Sequence, residues 1–365
     1  MPMWVSWIST MSDPLSFHLV IAEGCNSMTT SLGPVKRSPR YQRLLTDLRG
    51  GQKTVLLDGP ISTELDSRGV TMASGKERRV AKDDPESLVQ VHMDYINAGA
   101  QIITTNTFGR TREVLGTDFE ELTRAAVGCA LEARGRTGTE DSVIVAGSLA
   151  YHSARGPGNY DPTQEPDSWG NDMNDLVRLL KSAGVDVLLL EMVGGPTFTA
   201  PIIRAAQASR IPFWVGFSAY EETEGNALRV FDNAATPINE ALPGLIRLAT
   251  EGPEGIFKGE GDSGADVIGA MHCKPAVLGA VLEAVQFHGW DGTMLAYPDD
   301  VQEWNPATKS GVYSKDAVDV YSTHCVTWRR DFPKCTLLGA CCGFSVKHIA
   351  DLYQRLRMEA PDGKF

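Results

Sequence analysis

No run of apolar residues in this chain approaches the roughly 20 needed to span a bilayer. The opening segment lacks a basic stretch followed by a clean apolar core, so it does not read as a secretory signal. Positive charge is in short supply: 34 Lys and Arg stand against 46 Asp and Glu, a formal net charge of −12. That balance argues against nucleic acid and against an anionic membrane as partner, because both select basic surfaces. No Gly-rich phosphate fingerprint follows the first apolar run, where Gly59-Pro60-Ile61-Ser62 lacks the GxGxxG spacing. No internal repeat of solenoid or propeller length is present. Seven cysteines at irregular spacing do not make a secreted disulfide framework. They point to a reducing compartment, with a cytoplasmic location expected, and to metal or catalytic thiols.

What is present is ordinary globular material, with 42% hydrophobic and 22% charged residues, enough to bury a sizeable core. The first residues mix Trp4, Trp7 and Phe17 with many Ser and Thr. The expectation is a poorly ordered leader over 1–40, with Met11 or Met28 as alternative starts, followed by one domain over 41–365.

From residue 41 onward the pattern is a short apolar run, a polar loop and an amphipathic stretch, repeated. Eight runs have strand length and β-branched content: Thr54–Leu57, Gln101–Thr105, Val143–Ala146, Val185–Leu190, Phe213–Phe217, Val267–Met271, Thr293–Ala296 and Thr336–Gly339. Helical patterns lie between them. Asp84-Pro85 is an N-cap and N1 pair with Gly99 as the stop, and Asp172–Ala183, Ala276–His288 and Ser345–Met358 carry apolar residues at helical spacing. Eight strand–helix alternations predict an α/β fold, a (β/α)8 TIM barrel with loop insertions. The long loops Tyr151–Gly170 and Ala219–Thr236 fall on the catalytic face, and Glu251–Gly264 on the opposite one.

In such a barrel the chemistry sits at the C-terminal ends of the strands. Those ends carry Asp58, Asn106, Ser148, Glu191, Ser218, Cys273, Tyr297 and Cys341-Cys342, with no nonpolar member. Adjacent cysteines close a strained ring if they bond to each other, and make better sense as two thiolates aimed at one soft cation. Cys273 ends the sixth strand and supplies a third sulfur. The bland alternative for Cys273 alone is a buried small hydrophobe. His272 competes for the same role, but strand alternation turns it away from the direction of Cys273. Three thiolates leave zinc one open tetrahedral position and make it a poor Lewis acid for hydrolysis. They make it a good home for a substrate thiol, which stays nucleophilic once deprotonated. Asp58 and Glu191 face the same mouth and suit an α-ammonium group. Acidic pairs such as Asp299-Asp300 read as solvated turns.

These residues resemble the homocysteine S-methyltransferase family. The likeness rests on Leu57-Asp58-Gly59-Pro60-Ile61-Ser62-Thr63-Glu64-Leu65, on Thr104-Thr105-Asn106-Thr107-Phe108, on Glu191, on His272-Cys273 and on Gly339-Ala340-Cys341-Cys342-Gly343, in family order over about residues 50–358. The resemblance implies a zinc-dependent barrel that methylates homocysteine to methionine. It implies Cys273, Cys341 and Cys342 as the zinc ligands, Asp58 and Glu191 on the substrate amino group, and Thr105 and Asn106 lining the pocket. The family usually shows Asp-Gly-Gly where Pro60 stands here, Gly-Gly-Cys-Cys where Ala340 stands, and Asn where His272 stands. An acidic mouth suits a cationic methyl donor such as S-adenosylmethionine, S-methylmethionine or a betaine. The expected partners are therefore a small thiol amino acid and a methyl donor, with the oligomeric state open. Two other readings stay open. One is methylation of another thiol or a selenol such as selenocysteine. The other is a non-catalytic barrel with a structural zinc or a redox-sensing role, which a closing fourth ligand such as His272 would favour.

Overall fold

The apolar runs form strands because their β-branched and aromatic side chains pack on both faces of a buried parallel sheet. The computed structural model describes residues 35–51, 53–71, 76–150, 166–222, 227–231, 235–251, 264–305, 310–313 and 318–359. The barrel strands are β1 (Val55–Leu56), β2 (Ile102–Thr104), β3 (Ile144–Leu149), β4 (Val187–Val193), β5 (Phe213–Phe217), β6 (Val267–Met271), β7 (Met294–Tyr297) and β8 (Cys335–Leu338). They hydrogen-bond in parallel in the order β1-β8-β7-β6-β5-β4-β3-β2. A parallel bridge between Leu57 and Ile102 closes β1 onto β2. The result is the (β/α)8 barrel that the alternation predicts, and the strand bounds agree to within a few residues.

Alternation along each strand splits the core in two. Val55, Ile102, Ile144, Val187, Leu189 and Trp214 point inward, while Leu56, Ile103, Val145, Leu188 and Leu190 point outward into the layer under the helices. The interior is plugged from below by the helix Pro39–Arg49, whose Tyr41, Leu44, Leu45 and Leu48 join the inward cluster. The Trp214 indole N–H donates to the Tyr41 hydroxyl at 2.9 Å, and that hydroxyl donates to Asp266 at 3.0 Å. Truncating a ring in so closed an interior costs about 3–5 kcal/mol.

Residues just before this helix belong to the same bonded structure. Ser38 caps it by accepting from the Tyr41 N–H, Arg37 meets Asp266 at 3.1 Å and Arg40 meets Asp186 at 2.8 Å. The expected division at residue 40 therefore cuts through a bonded segment, while residues 1–34 lie outside the described residues.

The helix over Pro85–Asn97 has Asp84 as its cap and ends on Gly99, whose φ of 108° is open to glycine. The other expected helices appear as Pro166–Ala183, Pro275–Phe287 and Val346–Glu359. Part of the long loop after β5 is a hairpin pairing Ala219–Glu221 with Leu228–Val230. A second hairpin, Val301–Asn305 with Ser310–Tyr313, follows β7. The expected loops over residues 151–165 and 252–263 lie outside the described residues. Among the described residues, no helix is long and apolar enough to cross a membrane.

Candidate active site

The ends of β1, β4, β6, β7 and β8 build one mouth. At the β8 end, Gly339 lets the chain pass close to its neighbours, since a Cβ there would fall 2.6 Å from the Tyr297 ring and 2.8 Å from Leu57. The Cys341 N–H donates to the Pro298 carbonyl at 2.7 Å, and the Asp300 N–H to the Cys342 carbonyl at 2.9 Å. The segment after β7 is also tied to β6, because the Asp299 N–H donates to the Cys273 carbonyl at 2.9 Å. One short stretch thus holds both cysteine-bearing strand ends in place.

The donor atoms that meet at this point are His272, Cys341 and Cys342, one ligand atom from each lying within 4.8 Å of the others. His272 Nδ1 is 3.4 Å from the Cys341 sulfur and 3.3 Å from a carboxylate oxygen of Asp299. The two sulfurs are 3.9 Å apart, Cys341 donating to Cys342. That contact and the nearby imidazole hold the Cys342 thiol well below its usual range, and the same contact pushes Cys341 up. Burial depresses the His272 pKa, but the Cys342 sulfur, Asp299 and Glu191 outweigh it and carry it to about 9.

Cys273 was expected in this cluster and its thiol sits elsewhere. It is 1% exposed, its sulfur accepts from the Ala219 N–H at 3.2 Å, and its S–H donates to the Met271 carbonyl at 3.1 Å. Burial pushes it up to about 12. The reason for the exchange is local backbone. His272 has φ of 50°, in the left-handed region, so the alternation of β6 breaks at the strand end. The residue expected to point away from the mouth points into it.

Two buried carboxylates face the same mouth. Asp58 is fully buried and accepts from the Thr104 backbone N–H at 2.7 Å and from the Thr104 hydroxyl at 3.1 Å. Burial raises its pKa to about 8, with Thr104 pulling it down and the Glu191 charge adding to the rise. Glu191 continues the inward face of β4 after Val187 and Leu189. Burial lifts it to about 7, with the Ser148 hydroxyl and His272 pulling it back. Among the described residues, no Arg or Lys lies within ion-pairing distance of either acid. The Tyr297 phenol feels Asp58, Cys341 and Glu191, and burial above all keeps it protonated.

Thr105 and Asn106, expected to line the pocket, are committed to the barrel rim. The Thr105 hydroxyl accepts from the Ser148 N–H at 3.1 Å and lies 2.7 Å from that of Thr107. The Asn106 amide donates to the Glu77 carbonyl at 3.4 Å, on the helix Lys76–Asp83. Asp299 and Asp300, read from sequence as solvated turns, are buried at 6% and 4% exposure. The sequence signal that could have found Asp299 is its place two residues beyond the seventh strand end, on the face where the chemistry lies.

Vicinal thiols, an imidazole and buried acids thus gather at the C-terminal face of a parallel barrel, the face where this fold carries its chemistry. A sequence profile described as homocysteine S-methyltransferase matches residues 55–356. The chain belongs to that family and is a methyltransferase. It is 22% identical over 353 residues to homocysteine S-methyltransferase 4 of Zea mays, covering 89% of this chain and 95% of the maize protein. It is 23% identical over 320 residues to homocysteine S-methyltransferase YbgG of Bacillus subtilis, covering 82% and 93%. Its fold is similar to that of the metallated form of the homocysteine methyltransferase MmuM from Escherichia coli, with a TM-score of 0.64 and 21% identity over 85% of this chain and 99% of that one.

Proposed function

We propose that this protein is a zinc-dependent methyltransferase that moves a methyl group from a cationic sulfonium or ammonium donor to the thiol of homocysteine, giving methionine. The observation that carries the reading is the pairing of two ends in one mouth. Thiol and imidazole donors stand at the ends of β6 and β8, and the buried acids Asp58 and Glu191 stand at the ends of β1 and β4 with no Arg or Lys partner among the described residues. A γ-thiol amino acid presents sulfur to the first and an α-ammonium to the second.

The donor set fits zinc. Two adjacent sulfurs and an imidazole, with donor atoms within 4.8 Å of one another, are the ligand types zinc selects. Cys341 and Cys342 would hold the metal, with Cys273 as the third sulfur proposed from chain order. Bound there, zinc would keep the substrate sulfur deprotonated and nucleophilic at neutral pH. The chain's own residues do the rest. Asp58 and Glu191 sit with raised pKa values in the empty site and lose their protons as the ammonium arrives, because an adjacent cation favours the charged form. Thr104 fixes the Asp58 carboxylate by two contacts, so the ammonium is held in one place relative to the thiol. The thiolate then attacks the methyl carbon in line. The new S–C bond forms, the donor's bond from carbon to its sulfonium or ammonium centre breaks with its electron pair, and the donor leaves neutral. The thiol proton goes to water.

A specific observation favours the second reading, a closed structural metal site in a non-catalytic barrel: His272 supplies a further donor. The acids argue against it. Two buried carboxylates with no Arg or Lys partner among the described residues cost stability, and a structural metal site gives them nothing to bind. The deciding experiment crosses homocysteine, cysteine and selenocysteine with S-methylmethionine, S-adenosylmethionine and glycine betaine, and follows methylated product. Methionine formation that needs zinc and is lost in Cys342→Ser is the expected result. Absence of transfer to any acceptor in the zinc-loaded protein overturns the reading.

A further inference from the structure

Resting on the methyltransferase reading above, we infer that Thr63 and Glu64 are positioning residues that set the span between the ammonium end and the thiol end of the site. They thereby make it select a γ-thiol amino acid over the shorter β-thiol one. Neither is one of the ammonium-binding acids or the metal-binding cysteines; they act through Asp58 and Cys342.

The two adjacent cysteines are bracketed by hydrogen bonds to one segment, the one that carries Asp58. On the near side the Ala340 N–H donates to the Asp58 carbonyl at 3.2 Å. On the far side the Gly343 N–H donates to the Thr63 hydroxyl at 3.3 Å, and the Val346 N–H to a Glu64 carboxylate oxygen at 2.9 Å. Thr63 and Glu64 lie on the short helix Ile61–Ser67, which begins just after Asp58. The turn between the cysteines and Val346 passes through Gly343, whose φ of 88° is open to glycine. The Phe344 N–H closes that turn on the Cys341 carbonyl at 3.3 Å.

Glu64 is buried at 8% exposure but, unlike Asp58 and Glu191, it has a cation beside it. Arg68 meets one of its oxygens at 3.2 Å, and meets Asp94 on the helix Pro85–Asn97 at 2.8 Å. The other oxygen takes the N–H of Val346, the first residue of the helix Val346–Glu359, where a carboxylate also meets the positive end of the helix dipole. Both oxygens are thus committed to the frame. The segment itself is stiffened from one side: a Cβ at Gly59 would fall 2.7 Å from the Tyr95 hydroxyl, which donates to the Pro60 carbonyl at 3.3 Å.

Homocysteine and cysteine share an ammonium and a carboxylate and differ by one methylene between the α-carbon and the sulfur. With the ammonium held at Asp58, chain length decides whether the sulfur reaches the cysteine pair, provided that pair cannot drift. A one-methylene difference is worth about 10- to 200-fold where a site measures it. The bonds to the segment after β7 hold the cysteines to their other neighbours. The bracket holds them to the strand end that carries Asp58. Without its far side, the turn that carries Cys342 is tied to that strand end from one side only, and the span that tells the two thiols apart goes slack.

The test is steady-state methyl transfer by the zinc-loaded full chain to L-homocysteine and to L-cysteine, with S-methylmethionine, S-adenosylmethionine and glycine betaine each offered as donor. Hydrogen–deuterium exchange at the Gly343 and Val346 amides is measured alongside. Thr63→Val and Glu64→Ala remove the far-side acceptors, while Thr63→Ser and Glu64→Gln keep them. Thr63→Val matches the shape of threonine and keeps the test open should Glu64→Ala not fold. The removing variants are expected to speed exchange at the amide each one frees. They are expected to lower kcat for homocysteine by about 10- to 100-fold with KM little changed, and to lose most of the preference for homocysteine over cysteine. The keeping variants are expected to restore exchange, kcat and preference to near wild type. If exchange speeds up and Tm falls while kcat and the preference stand, the bracket is structural only; the inference falls and the methyltransferase reading stands. If KM rises with kcat unchanged, the two residues serve ammonium binding and not the span, and the inference falls in the same way. If the wild type moves no methyl to either thiol, the proposed function falls and the inference with it.

Discussion

The two ends of the barrel carry the same acids in opposite circumstances. At the N-terminal end, Asp186 before β4 meets Arg40 at 2.8 Å and Arg134 at 2.9 Å, and it accepts from Ser38 and from the Val145 N–H. Asp266 before β6 meets Arg37 and Arg49, both at 3.1 Å, and the Tyr41 hydroxyl. At the C-terminal end, Asp58 and Glu191 are as deeply buried and have no Arg or Lys partner among the described residues, Glu191 feeling only the His272 imidazole. A buried acid with its cations in place contributes to the fold, and one without them is a cost that only a ligand removes. The lower ring is built for closure and the upper ring for occupancy.

The sharpest way to break this contrast is to damage each end in turn. Asp186→Ala strands Arg40 and Arg134 in a mostly buried setting. It should lower unfolding free energy by about 3–5 kcal/mol in urea titrations, with kcat/KM little changed in the fraction that folds. Asp58→Asn should do the reverse, cutting kcat/KM for homocysteine on the order of 100-fold or more through loss of a buried charge pairing. It should not lower thermal stability, and above pH 8 it should raise Tm. The sign follows from the raised pKa: the protonated acid contributes stability that is full below about pH 4 and is lost as pH climbs through about 8. The amide has no proton to lose.

A smaller effect is expected from pH alone. Glu191 and Asp58 must be ionised to attract the ammonium, and burial sets them at about 7 and about 8 in the empty site. The KM for homocysteine should therefore fall by about tenfold between pH 6.5 and 8.5, and the trend should flatten in Glu191→Gln. A KM that rises over that range would show the acids to be ionised already. The smallest effect concerns three further cysteines among the described residues. Cys129, Cys325 and Cys335 are buried with their thiols pushed up, while Cys342 is held down. Iodoacetamide on the metal-free folded protein at pH 7 should label Cys342 before any other described cysteine, as peptide mapping would show, and leave those three unmodified.

Much of this architecture is readable in the chain because parallel strands buried on both faces leave continuous apolar runs. Phe213–Phe217 and Val267–Met271 coincide with their strands, and Asp58, Glu191, Cys341 and Cys342 lie at the mouth where strand ends must lie. The failures share one cause: side-chain direction beyond a strand end is set by single backbone angles and by neighbours distant in sequence. His272 reads as turned away because alternation is assumed to run one residue further than it does. Cys273 reads as a neighbour of Cys341 and Cys342 for the same reason, and its sulfur here answers the Ala219 N–H from another strand. Asp299 looks like a turn residue because Pro-Asp-Asp usually is one. The bonds from its own N–H to the Cys273 carbonyl and from the Asp300 N–H to the Cys342 carbonyl draw it inward. Thr105 and Asn106 are polar residues at a rim, and nothing in their order says whether they serve a ligand or, as here, the rim itself.

The seam of the barrel lies where β8 meets β1. There the Leu57 N–H donates to the Leu338 carbonyl at 2.7 Å and the Ala340 N–H to the Asp58 carbonyl at 3.2 Å. As the chain leaves the ribosome, β1 emerges early and waits through almost the whole of synthesis for its neighbour. The same two hydrogen bonds that finish the ring bring Asp58 alongside Cys341. Substrate pocket and thiol cluster are therefore born together, at the last step.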